Sequence, residues 1–284
     1  MTGARVIVVS DSHLSDRTPE ATANWSAVVD DVAAARPSLV VHAGDVTADG
    51  AEHPADLLFA RAQLDRIPVP LAIVPGNHDV GDVPAPGSAA GPWVDATRLE
   101  RFRSAFGADR FSVAVGRWHV LGIDAQLLAA GGDAEAEQWD WLEAEVARLR
   151  PGTPVMVVSH RPLIPPPGEV DHPGRYVRPP AQARLIDLLG DMGPRMVVSG
   201  HVHQRLHHRT GGMDHAWAPT TWAVLPDGVQ TRVGDKEVGV LDLVLHDHGA
   251  VDVTTRVPDG MRQMTLGIDI VDPYGRATAR TSGV

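Results

Sequence analysis

The sequence predicts an α/β fold built on parallel strands. Two observations carry that reading. Through the first half, short β-branched runs alternate with segments of helical period in the order β-α-β-α-β. In the second half, two further apolar runs flank another helical segment. Strands joined by helices run parallel through right-handed crossovers. Val6 to Ser10 is the first strand. Asn24 to Arg36 carries Trp25, Val28, Val29 and Val32 at helical spacing, and Pro37 ends it. Leu39 to Ala43 is the second strand, Asp56 to Ile67 the second helix and Leu71 to Val74 the third strand. Residues 81–92 are rich in Gly, Pro and Ala and read as a loop. A helix over Trp93 to Phe106 precedes a hairpin of Phe111–Val115 and Trp118–Ile123 about Gly116-Arg117. Asp133 to Arg150 is amphipathic, with Trp139, Leu142, Val146 and Leu149 inward. Pro154–Ser159 and Arg195–Ser199 are strands around the helix Ala181–Leu189, and Pro162 to Pro180 is a long irregular loop. After residue 205 short extended runs, Gly239–Leu245 and Val251–Val257 among them, suggest an antiparallel section.

Composition bounds the function. At 43% hydrophobic and 21% charged, the 284 residues can bury a sizeable core. A single domain is expected over 1–266, with a polar, weakly patterned and mobile tail over 267–284. There is no cysteine, which excludes disulfides, thiolate metal sites and cysteine nucleophiles. Aromatics are sparse at 5% and the net charge is -11, so neither a nucleic-acid polymer nor an anionic membrane is an expected partner. The apolar run Val6–Val9 is too short for a signal peptide, and no stretch reaches the roughly 18 apolar residues of a membrane span. The chain therefore reads as cytoplasmic. The extended C-terminal section could pair two chains as a homodimer. The unusual count is 14 histidines, a residue that ligates metals and moves protons.

Those histidines are not scattered evenly. Strand one ends in Asp11-Ser12-His13, strand two in His42-Ala43-Gly44-Asp45, and strand three leads to Gly76-Asn77-His78-Asp79. Later strands end in Ser159-His160 and Gly200-His201-Val202-His203. Ligands of open α/β sheets bind beyond the carboxyl ends of the strands. Singly, Asp11, Asp45 and Asn77 are ordinary turn residues, and one histidine is an ordinary packed histidine. Five strand ends bearing Asp, Asn and His together point to a metal site. Glycine before Asp45, Asn77 and His201 permits close backbone approach.

In these blocks, and in their order, the sequence resembles the calcineurin-like metallophosphoesterase superfamily over about 200 of its 284 residues. The resemblance implies an α/β/β/α sandwich, with two central mixed β-sheets flanked by helices. It implies one metal held by Asp11, His13, Asp45 and His203. A second would be held by Asp45, Asn77, His160 and His201, with Asp45 shared. Carboxylate, amide and imidazole ligands without thiolate suit two divalent or mixed-valence ions of Mn, Fe, Co or Zn, with Mn or Fe favoured. Such a pair clamps the attacking and departing oxygens of phosphorus for in-line attack by a bridging hydroxide. His78 would then serve the leaving oxygen as acid, with Asp79 orienting it.

Within the superfamily, absences narrow the choice. Ala48 stands where purple acid phosphatases carry a metal-ligating tyrosine. No arginine follows Asp45 through Gly50, unlike the serine/threonine phosphatases, and the Phe-His pair of the double-strand-break nucleases is missing. Gly44 to Gly50, the helix segment Glu137–Leu142 and Ala218-Pro219-Thr220-Thr221 resemble the bacterial class III cyclic-nucleotide phosphodiesterases. The expected substrate is a small phosphodiester, 3',5'-cyclic AMP foremost. A glycerophosphodiesterase or phosphomonoesterase on the same site is the alternative, and a non-catalytic binding protein the more distant one. Of the remaining histidines, His42 is expected behind the site and His119 in packing. His172 and Arg175 lie in the 162–180 loop, within reach of a substrate. Asp124 and the Trp139/Trp141 pair read as structural.

Overall fold

A computed structural model describes residues 3–84, 92–169, 174–190, 192–193 and 195–271. Two mixed sheets pack face to face. The first has the order β11-β10-β1-β2-β3 and the second β4-β5-β6-β7-β9-β8. In chain order the strands are β1 (Gly3–Val9), β2 (Leu39–Ala43), β3 (Leu71–Val74), β4 (Phe111–Val115), β5 (Trp118–Ile123), β6 (Val155–Ser159), β7 (Arg195–Ser199), β8 (Leu206–Thr210), β9 (Met213–Trp217), β10 (Val240–His246) and β11 (Val251–Arg256). The helices are α1 (Pro19–Ala35), α2 (Pro54–Leu64), the single turn α3 (Asn77–Val80), α4 (Ala96–Phe106), α5 (Asp133–Arg148) and α6 (Pro179–Leu188).

The layering follows from strand alternation. Successive side chains point to opposite faces. Val6 and Val8 of β1 therefore meet Met156 and Val158 of β6 and Met196 and Val198 of β7 between the sheets. Ile7 and Val9 face outward onto Trp25, Val28 and Val32 of α1 and Leu57 and Leu64 of α2. On the far side, Val155, Val157 and Val197 face Trp139, Leu142 and Val146 of α5 and Leu185 of α6. Strands covered on both faces need apolar residues throughout, which is why β2, β6 and β7 read as continuous runs. The result is the expected α/β/β/α sandwich.

Helix starts differ from the expected ones. α1 begins at Pro19 and α2 at Pro54, because proline presets the helical φ at the first position. α4 begins at Ala96, where the Asp95 carboxylate caps the helix by accepting from Arg98 N at 2.8 Å. The region after 205 is not wholly antiparallel. β8 and β9 form a hairpin about Gly211-Gly212, and β9 then runs parallel to β7. β10 and β11 pair antiparallel as expected, and β10 closes antiparallel onto β1. The tail from 272 onward, residues 85–91 of the first loop and His172 lie outside the described residues. Among the described residues no helix is long and apolar enough to cross a membrane.

Candidate metal centre

The carboxyl ends of β1, β2 and β3 in one sheet meet those of β6 and β7 in the other. A backbone zipper joins the ligand loops. Asp11 N donates to Gly44 O at 3.0 Å, Ser12 N to Asp45 O at 2.9 Å and Gly200 N to His160 O at 3.0 Å. The tight packing needs glycine. Gly44 has φ +90°, and a Cβ there would lie 2.5 Å from His160 Nδ1. At Gly200 a Cβ would overlap Ser10 Oγ and approach Asp11 Oδ2 to 2.7 Å. Gly200→Ala is expected to cost about 1–3 kcal/mol through this overpacking, read as a lowered unfolding midpoint in urea with unchanged slope.

Seven non-glycine residues adopt left-handed backbone among the described residues, and five of them are Asp11, His13, Asp45, His201 and His203. This conformation is unfavourable for residues with a Cβ, and such strain gathers at functional sites. All five are ligands implied by the resemblance.

The side chains converge, and His78 comes within the same reach of His13 and Asp45. Ligand atoms of Asp11, His13 and His203 lie within 4.8 Å of one another, as do those of Asp45, His160 and His201. Asp45 spans both. Its Oδ2 is 3.3 Å from His160 Nε2 and 3.8 Å from His13 Nε2, while Oδ1 accepts the His78 backbone N–H at 2.9 Å. Asp11 accepts from His201 N with both oxygens, and its Oδ1 is 3.4 Å from His203 Nε2. The Asn77 Oδ1 atom is buried and has no hydrogen-bond partner.

Tautomers show what this geometry demands. A carbonyl only accepts, so the nitrogen facing one carries the proton. His160 Nδ1 faces Ala43 O at 2.8 Å, and His201 Nε2 faces Gly174 O at 2.9 Å. Their inward nitrogens, His160 Nε2 and His201 Nδ1, are then lone-pair atoms 3.2 Å apart. His203 Nδ1 likewise faces Ala223 O at 2.6 Å, and its Nε2 is 3.2 Å from His13 Nε2. Acceptors crowded together in a buried site require a cation between them. Ligands about 2.1 Å from one ion lie about 3.0–3.4 Å from each other, so these separations fit metal binding. The orphaned Asn77 Oδ1 fits it too, and backbone carbonyls fixing imidazole tautomers are a usual outer shell. Without metal, a proton takes the cation's place. Burial alone would lower His160, but the Asp45 and Asp11 carboxylates outweigh it and push it up to about 9. Burial keeps His13 and His201 well below the usual histidine range, hence neutral as ligands must be.

One expectation changes here. Asp79 does not orient the His78 ring. As the third residue of α3, its carboxylate turns back to accept from Gly76 N at 2.8 Å, Val46 N at 3.1 Å, Thr47 N at 2.8 Å and Thr47 Oγ1 at 2.7 Å. It clamps the Asp45 loop to the Asn77 turn. The His78 ring is held instead through Nδ1–H to Ala48 O at 2.8 Å. Arg175 pairs with Glu169 at 2.7 Å. His42 stands behind the site as expected, its Nε2 2.8 Å from Ser12 Oγ, which meets Thr221 Oγ1 at 2.7 Å. The Ala218–Thr221 segment thus backs the Asp11 loop, where Thr220 Oγ1 also donates to Asp11 O at 2.9 Å. Asp124 is buried against Gln138 and Gln126, a structural setting. His119 packs through Ser112 Oγ at 2.6 Å. The sequence reading missed Arg161, whose only signal was its place beside His160.

Comparison with known proteins agrees with this geometry. The family profile of the calcineurin-like phosphoesterases matches residues 4–205. The serine/threonine-protein phosphatase CPPED1 of Danio rerio is 28% identical over 189 residues, 64% of this chain and 55% of that protein. Its Bos taurus counterpart is 30% identical over 142 residues, 48% of this chain and 42% of that protein. The chain thus spans about half the length of the curated relatives it matches. Among solved structures, a dimetal phosphatase from Danio rerio aligns with TM-score 0.59 at 15% identity, covering 90% of this chain and 96% of that one. GAP50, the anchor in the inner membrane complex of Plasmodium, aligns with TM-score 0.60 at 13% identity, covering 92% and 87%. The fold therefore serves proteins described in quite different terms. With its family profile matched across all five ligand-bearing strand ends, the chain belongs to the calcineurin-like phosphoesterases, a family of metal-dependent phosphoester hydrolases.

Proposed function

We propose that the chain hydrolyses a small phosphodiester, with 3',5'-cyclic AMP or a related cyclic nucleotide as the leading candidate. The observation that carries this reading is the state of the cationic side chains around the centre. Arg161 is the arginine whose charge reaches His201 and Asp45, and it is fully engaged by Gln126, Gly174 O and Asp82. On the surrounding loops Arg17 is held by Asp56, Arg98 by Glu52 and Asp95, and Arg178 by backbone carbonyls. A phosphodiester carries one negative charge, whereas a monoester approaches two near neutral pH. Among the described residues, these engaged guanidinium groups are not free to pair with a second charge. Acidity elsewhere on the surface, with a net charge of -11, further disfavours a polymer of phosphodiesters.

The residues divide the work. Asp11, His13, Asp45 and His203 would hold one ion, and Asp45, Asn77, His160 and His201 the other. When bound, the two ions supply Lewis-acid polarisation of the phosphoryl group and an acidified water. The chain's own part in bond cleavage falls to His78. Protonated on both nitrogens, it keeps Nδ1–H on Ala48 O and can give the other proton to the departing alkoxide. Asp79, through Thr47 and Gly76, keeps the Asp45 and Asn77 loops in register.

A second reading, phosphomonoester hydrolysis, is favoured by the relatives' description as phosphatases. The two separate in one panel with Mn²⁺ supplied: cyclic nucleotides, glycerophosphodiesters and matched aryl diesters and monoesters. The diesters should show the higher kcat/KM. The reverse ranking overturns the diesterase reading in favour of the monoesterase one.

A further inference from the structure

We propose that Arg161 is a positioning residue for one of the two metal positions, the one framed by Asn77, His160 and His201. The proposal rests on the dinuclear reading above and adds a residue that no motif marks. Arg161 directly follows His160, and its side chain is only 4% exposed. Its guanidinium reaches three separate segments. Nε donates to Gln126 Oε1 at 3.3 Å, Nη1 to Gly174 O at 2.5 Å, and Nη2 to the Asp82 carboxylate.

The Gly174 contact connects this clasp to the centre. The same carbonyl accepts His201 Nε2–H at 2.9 Å. A carbonyl oxygen has two lone pairs, and here both are used, one by the guanidinium and one by the imidazole. That second bond sets the His201 tautomer and aims Nδ1 inward, 3.2 Å from His160 Nε2. His160 takes its orientation from Ala43 O, at the end of β2, and His203 from Ala223 O. Of these three, it is His201 that takes it from the 162–180 loop, where Gly174 has φ +86°. A planar guanidinium with fixed donors anchors that carbonyl, Arg161 Nη1 donating to Gly174 O at 2.5 Å. Asp82 in turn is seated by Asp82 N on Pro92 O at 2.7 Å and Val94 N on Asp82 O at 2.8 Å. The line Asp82–Arg161–Gly174 O–His201 thus runs from the backbone bridge between Asp82 and Trp93 to a metal ligand. Among the described residues, the other position, framed by Asp11, His13 and His203, meets this line at the His201 backbone N–H, which Asp11 accepts, and not at the His201 ring whose tautomer the line sets.

The asymmetry gives the test. Full-length protein stripped of metal is titrated calorimetrically with Mn²⁺, as wild type, Arg161→Met and Arg161→Lys. Arg161→Met should weaken one of two binding steps by about 10- to 100-fold, the usual scale for an outer-shell partner, and leave the other unchanged. Arg161→Lys, which keeps the charge without the fork, should fall between. In the metal-free protein, the imidazole nitrogen shifts of His201 should report Nε2–H in wild type and a tautomer mixture in Arg161→Met. Lost activity should return with excess Mn²⁺, a rescue that a misfolded variant would not show. Two unchanged steps, or equal weakening of both, overturn the proposal. If Arg161→Met does not fold, Arg161→Lys decides by the same criteria. A wild-type protein that takes up fewer than two ions defeats the dinuclear reading instead, and the tautomer measurement still judges Arg161.

Discussion

Asp45→Asn is expected to lower kcat/KM by at least about 10³-fold, the equivalent of about 4 kcal/mol of transition-state stabilisation. The substitution is chosen because it is nearly isosteric. An amide oxygen can still accept the His78 N–H that Oδ1 now accepts at 2.9 Å, so the Asn77 turn should keep its place. What disappears is one negative charge at the point where the two ligand groups overlap. Oδ2 lies 3.3 Å from His160 Nε2 and 3.8 Å from His13 Nε2. Among the described residues no other carboxylate pairs with both histidines, since Asp11 is turned to His201 N and His203. Both metal positions should therefore weaken together, unlike the single weakened position expected for Arg161→Met. The charge change has a second consequence in the metal-free protein. Burial opposes a charged His160, and it is chiefly the Asp45 carboxylate that overcomes this and holds the ring near a pKa of about 9. Without that carboxylate, desolvation prevails and His160 should titrate below its present value. Metal stoichiometry, kcat/KM and the His160 titration are three independent readings. Two tightly bound ions and near-normal turnover in Asp45→Asn would sink the shared-ligand assignment.

Which parts of this site could be read from the sequence depends on where the information is written. The ligands were legible because side-chain identity and position both carry signal. Asp, Asn and His each follow an apolar strand, and glycine stands where a Cβ would meet the neighbouring loop. The outer shell was not legible. Ala43, Ala48, Gly174 and Ala223 contribute carbonyl oxygens, which every residue possesses. Asp79 was visible as part of the block, but its neighbour in sequence was the wrong partner. A one-turn helix folds its carboxylate back onto Gly76 and across to the Asp45 loop, away from the residue beside it. The fold shows the same division. β1, β2, β6 and β7 are apolar on both faces and announce themselves. The start of α1 was hidden because its first turn lacks the apolar stripe. Asn24, a residue type that favours helix openings, lies well inside α1. There its side chain bonds Trp222 O and Arg262 O, partners about 200 positions distant. β8, Leu206-His207-His208-Arg209-Thr210, is a half-exposed edge strand without an apolar run. Its partner β9 returns beside β7 in a parallel register that only the tertiary structure sets.

His78→Ala should separate proton donation from metal binding. The backbone N–H of residue 78, which steadies Asp45, survives the change. The ring is half-buried at the edge of the centre, edge-on to His13 with centroids 4.8 Å apart. Its removal strips neither Asp45 nor Asn77 of a hydrogen-bond partner. Two ions should therefore still bind, in contrast to Asn77→Ala, which deletes the orphaned Oδ1. The rate should fall by about 10²- to 10⁴-fold, the range for a lost general acid. The loss should also depend on the leaving group. An alkoxide departing from a nucleotide or glycerol ester is strongly basic and needs a proton as the P–O bond breaks. A nitrophenolate is stable as an anion and does not. His78→Ala should then cost much of its full factor on cyclic nucleotides or alkyl diesters and markedly less on an activated aryl diester. An equal loss on both substrate types would show that the ring acts by holding structure or metal. Loss of one ion in His78→Ala would assign it instead to the ligand group that places a ring nitrogen within 4.8 Å of His13 and Asp45. The proton-donor role is retained only if metal binding is intact and the penalty tracks leaving-group basicity, because no merely structural contact distinguishes one departing oxygen from another.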